Sequence, residues 1–157
     1  MRKSIIAILM TFCLSIMTYA QTPRDRATEL KEQAQSSLNQ KDYIKARYLF
    51  KKAYEAFATR ENYPQAIECG VQANALYVRE NFYKEGFELC RDMDQLIWAG
   101  EQNQKKVFYD LRFLVNKERL QMYTALKNPA QAKTQLNKLE ETANLAKNDS
   151  LTEVLLY

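Results

Sequence analysis

Few side chains in this 157-residue chain could do chemistry, and their spacing works against most reactions. No histidine occurs, which removes imidazole-based triads, the usual zinc sites and the commonest general base. Asp92 and Asp94 stand two apart and on a helix point to different faces, so they are not a paired acid and base. Any carboxylate on such a segment reads as part of a solvated helix surface. Gly70, Gly86 and Gly100 each stand alone, so there is no phosphate-cradling loop. No catalytic residue, cofactor or metal is expected in this chain.

The cysteines and large aromatics read as packing groups. Cys13 follows Phe12 inside an apolar run, which is not the small-residue setting that lipidation requires. Cys69 and Cys90 fall on the inner side of two helices of one hairpin and read as buried thiols acting as small hydrophobes. A disulfide needs Cα atoms within roughly 7 Å, which antiparallel helices rarely provide. Trp98, the lone tryptophan, is expected to pack against the following helix. Phe108, Tyr109 and Phe113 span too wide an arc for one buried stripe, leaving Tyr109 between core and groove.

The elements that would position these residues are helices. Only 3 glycines and 3 prolines occur, too little turn chemistry for a β-rich fold. Apolar residues follow a helical period, as with Tyr43, Ala46, Leu49, Phe50, Ala53, Tyr54 and Phe57. The pattern predicts helices over residues 25–39, 43–59, 62–79, 82–98, 102–126 and 130–146. The fourth is expected to stop near Gly100, and the fifth to be the long one, with Val107, Phe108, Leu111, Leu114, Val115, Met122 and Leu126 on or near its buried stripe. Asn128-Pro129 opens the sixth. Ser150 and Glu153 have the spacing of a capping box and predict the start of a seventh. Asn148-Asp149-Ser150 also fits a glycosylation sequon, but capping accounts for the same residues with no extra machinery.

Residues 1–20 read as a cleaved secretory signal: Arg2-Lys3, then an apolar run, then Thr18 and Ala20 at the −3 and −1 positions of a cut. The run is short for a membrane span, which needs roughly 20 residues. The formal charge of +4 loses Arg2 and Lys3 with this leader, and no block of like charge remains. That composition offers no case for nucleic-acid binding. Residues 21–157 are long enough for one domain, expected to be exported.

Within that domain the chain repeats itself. Tyr43, Ala46, Phe50 and Ala53 recur 40 positions on as Tyr83, Gly86, Cys90 and Met93, and Ala34 and Ser37 map to Asn74 and Tyr77 by the same shift. Tyr123 and Ala132 match Tyr77 and Gly86 at a shift of 46. An aromatic, a small residue three positions on, then apolar residues at helical spacing describe the second helix of a hairpin that must stack on its neighbours. With Leu30, these positions resemble the signature of the tetratricopeptide family, strongest in the first repeat. Ser37 stands where that family has an aromatic, Asn74 where it has a small residue, and Leu120 likewise. The resemblance implies an all-α antiparallel helix-hairpin solenoid of about three repeats plus the start of another helix.

It also implies function. Such arrays bind proteins or peptides, and the concave-face positions would be Lys31, Gln35, Asn39, Arg79, Lys117 and Gln121. Long polar side chains there would hydrogen-bond and steer a peptide. An exported bacterial array of this kind resembles the periplasmic input region of a membrane signalling protein, a histidine kinase or helix-turn-helix regulator. The membrane would be reached only through a segment outside 21–157. Leu151 to Tyr157 has an apolar face with no partner to follow, so the chain is expected to be the N-terminal part of a longer protein, with self-association through the open end a further expectation. A freestanding secreted scaffold, or a helical support for a glycan-binding or enzymatic site beyond residue 157, are the alternatives.

Overall fold

The structure, a computed structural model, describes residues 25–146. Among these it contains six helices and no strand: α1 Arg26–Asn39, α2 Tyr43–Ala58, α3 Tyr63–Arg79, α4 Tyr83–Gln104, α5 Tyr109–Ala125 and α6 Pro129–Ala146. The leader at 1–20 and the helix start at Ser150 lie outside the described residues.

Four of the five connections are one recurring turn. At the end of α1 the Lys41 amide donates to the Leu38 carbonyl and the Asp42 amide to that of Ser37. The same pair of bonds recurs at Glu61 and Asn62, at Asn81 and Phe82, and at Lys127 and Asn128. This is the Schellman arrangement, in which one residue must adopt left-handed backbone. Lys41, Glu61, Asn81 and Lys127 do so, with φ of 63°, 57°, 62° and 53°. The residue after each is already the N-cap of the next helix. Asp42, Asn62 and Asn128 cap with their side chains, onto the amides of Lys45, Gln65 and Gln131. Helix end and helix start thus share three or four residues, which folds each helix back on the last.

Consecutive helices pack together along the chain, and α3 also touches α5. The first helices of the second and third hairpins therefore stack, as a solenoid requires. Small residues permit the close approach: Ala34, Ala46, Ala53, Ala66 and Ala73 are all shut off from solvent. Gly86 is buried where a Cβ would sit 2.8 Å from Met122 Sδ and 3.0 Å from Asn74 Oδ1. Phe50, Ile67, Met93, Ile97 and Met122 fill the main core, with Leu30, Tyr43, Tyr77 and Tyr83 half-buried against it. A separate small cluster, Phe113, Leu139 and Ala143 with Leu120, holds α6 to α5. The fold is an all-α stack of helical hairpins; of the signature residues Ala34, Ala46, Phe50, Ala53 and Gly86 are buried, and Leu30, Tyr43, Tyr77, Tyr83, Tyr123 and Ala132 are half-buried.

Three expectations are corrected. α4 does not stop near Gly100 but runs to Gln104, making it, at 22 residues, the longest of the described helices. Gly100 is required for packing and not as a terminator: a Cβ there would meet Phe108 Cε2 at 2.8 Å and the Tyr63 ring at 2.9 Å. The helix ends instead on Lys105 at φ 50°. α5 begins at Tyr109 and has 17 residues, so the interval of 46 is absorbed by α4 and its exit, not by a long fifth helix. Val107 and Leu126, expected on the buried stripe, are exposed because each lies in a connection beyond a helix end.

Candidate functional site

The six polar positions implied by the family resemblance are spread along the stack. Lys31 Nζ on α1 donates to Gln65 Oε1 at 2.9 Å and pairs with Glu68 at 2.8 Å, both on α3. It ties the first helices of two hairpins together. Gln35 and Asn39 meet through a 3.1 Å hydrogen bond on the exposed side of α1. Arg79 lies over the Tyr43 ring, 3.8 Å from its centroid. Lys117 and Gln121 are exposed on α5. Gln35 and Asn39 are brought together, while Lys31 and Arg79 are engaged by other residues.

A cleft of about 590 Å³ opens where α4, α5 and α6 meet. α5 packs on both of the others and supplies Tyr109, Arg112, Asn116 and Arg119. Its rims are apolar: Trp98 on α4, Val107 in the link after α4, and Leu145 on α6. Trp98 is 62% exposed, contrary to the packing role expected of it. Trp98 stands one position after Ile97, off the buried stripe of Leu89, Met93, Ile97 and Gly100.

Both arginines in the cleft are fixed from behind. Glu101 on α4 is buried and accepts from the Phe108 amide at 2.9 Å and from Arg112 Nε at 2.7 Å, with Arg112 Nη2 on its second oxygen. It thereby caps the start of α5, whose N-cap Phe108 has no side chain to do so. Arg112 foremost, and then the Phe108 amide, hold the Glu101 carboxyl below its ordinary value against the opposing effect of burial. Arg119 binds the Cys90 carbonyl at 3.0 Å and the Asp94 carboxylate. The cleft therefore sets two guanidinium groups, each already ion-paired, beside Asp94, Lys138 and Glu141 and between the apolar side chains of Trp98, Val107 and Leu145, a mixed chemistry suited to a polypeptide with polar and apolar side chains.

The remaining reactive groups are withdrawn. Cys69 and Cys90 are free and buried, and burial pushes their thiols up to about 11 and about 12, far from thiolate formation. Among the described residues no cluster of His, Cys, Asp or Glu could hold a metal ion, and no helix is long and apolar enough to cross a membrane. Glu101 and Glu118 depart from the solvated carboxylates expected of the sequence, since both are buried. Sequence spacing hid the cleft because its arginines gain their partners from a different helix. A lone tryptophan near a helix end was the one available signal. No family model, no curated protein and no solved structure matches this chain.

Proposed function

We propose that this chain is a tetratricopeptide-like repeat module that binds a protein or peptide, and that the cleft between α4 and α6 is its principal site. The observation that carries this reading is Trp98, held 62% exposed on the rim of a cleft whose two arginines are already immobilised. Aromatic and arginine side chains in that arrangement are the usual anchors of protein interfaces. The N-terminal leader read from the sequence supports an exported, periplasmic module, and the family resemblance supports service as the sensory or assembly region of a membrane signalling protein.

The test is photocrosslinking in cells, with a photoreactive amino acid placed at Val107 or Leu145 on the cleft rim and, as control, at Glu88 on the opposite ridge of α4. Adducts specific to the rim positions and lost with Trp98→Ala are the expected result. Equal adducts at all three positions, or none, reject the cleft.

A further inference from the structure

We infer that the outward ridge of α2 is a second binding surface, specific for an acidic polypeptide segment carrying an apolar side chain. Ile44 and Tyr48 protrude there at 68% and 60% exposure. Lys45, Lys51 and Lys52 flank them on the helix and Lys41 in the turn just before it, all exposed. Lys52 pairs with Glu55 at 2.7 Å. Among the described residues, the other three lysines have no ion-pair partner.

The repeat supplies its own control. The same six positions on the second hairpin are Asn81, Lys84, Glu85, Glu88, Arg91 and Asp92, and on the third Lys127, Ala130, Gln131, Thr134, Asn137 and Lys138. All twelve are exposed. One ridge mixes charges with a slight acidic excess, and the other is largely uncharged. The helix stack therefore demands neither cations nor large apolar groups here. Only α2 combines them, and nothing in the packing of the described residues uses them.

The ridge also has relief. A depression of about 390 Å³ lies between Ile44, Tyr48, Lys51, Lys52, Glu55 and Tyr77, large enough for a leucine or phenylalanine side chain, and its one carboxylate, Glu55, is already paired with Lys52. Its wall is stiffened by Arg47, which pairs with Glu80 and stacks between the Tyr77 and Phe82 rings at 4.9 and 5.1 Å. Lys45 to Lys52 spans about 10 Å of helix axis, or about three residues of an extended partner. Charge complementarity calls for carboxylates along that length and one apolar group in the depression. A lipid surface fits less well, because two apolar side chains are a small area for interfacial insertion. This surface is separate from the cleft, so it stands or falls independently of Trp98.

The experiment uses the whole chain and a short labelled peptide of Glu, Ala and Leu, alongside the same peptide with Gln for every Glu. Fluorescence anisotropy is expected to show preference for the Glu peptide, weakening with salt. K45E/K51E should weaken it about tenfold or more. Tyr48→Ser should weaken it without moving the melting temperature. K84E/R91E, the equivalent reversal on α4, should leave affinity within about twofold. Equal affinity for the two peptides, or equal loss in both charge reversals, overturns the inference. So does co-sedimentation with phosphatidylglycerol vesicles without peptide binding, or self-association abolished by K45E/K51E.

Discussion

Asn74 Nδ2 on α3 donates to Glu118 Oε2 on α5 at 2.9 Å, and both side chains are closed off from solvent. This bond gives a polar residue its place in the core: it joins the first helices of the second and third hairpins. Burial raises the Glu118 carboxyl above its ordinary value, against the opposing pull of Asn74. The folded chain thus holds that proton more tightly than the unfolded chain does. The contribution to stability is complete below the ordinary glutamate value of roughly 4.3 and is lost as pH climbs through the raised folded value. Glu118→Gln should keep the bond and flatten this dependence, so its urea midpoint should gain on wild type as pH rises. Asn74→Ala should cost about 2 kcal/mol or more at neutral pH, because it leaves a buried carboxylate without its donor.

Glu101 has the opposite sign. Its folded value is depressed, chiefly by Arg112, so its contribution is present above the ordinary range and falls away as pH drops through the lowered value. Glu101→Gln should destabilise by about 1 to 2 kcal/mol at neutral pH, a figure reduced for the half-exposed Arg112. The loss should shrink in acid. Amide exchange should localise it to the first turn of α5, which loses its cap.

The recurring turn supplies a stabilisation series. Lys41, Glu61 and Lys127 take left-handed backbone at φ of 63°, 57° and 53°, which disfavours residues with a Cβ. Replacing each by glycine should raise stability by about 0.5 to 1 kcal/mol, read from urea unfolding. Asn81, already tolerant of this region, should gain least.

Gly100→Ala should destabilise by about 1 to 2 kcal/mol despite the better helix propensity of alanine. The new Cβ would meet the rings of Phe108 and Tyr63 below 3.0 Å, and Tyr63 is buried and cannot turn aside. A thermal melt against wild type decides it.

Trp98→Ala should leave stability within about 0.5 kcal/mol, as for other surface substitutions. A large loss of stability would place the indole in the core and remove the main argument for the cleft.

The fold was legible because its period is carried by residues that packing constrains. Ala46 and Gly86, Phe50 and Cys90, and Ala53 and Met93 hold equivalent buried places, and the 40-residue shift exposed them. The turns were not legible, because Lys41, Glu61 and Lys127 fill positions where glycine would have announced a helix end. Gly100 misled for the converse reason: its use is tertiary contact, which a linear pattern cannot distinguish from termination. The cleft escaped because Glu101 and Arg112, eleven positions apart, meet only once α4 has ended and α5 has turned back.

The satellite cluster of Phe113, Leu139 and Ala143 shares no buried member with the main core, and it is what secures α6. Among the described helices α6 packs chiefly on α5, so it can detach while α1 to α4 remain shut. The cleft straddles that boundary, with one wall from each side. A guest bound there would latch α6 in place, so occupancy would be felt as slower hydrogen exchange along a helix whose far side the guest never reaches.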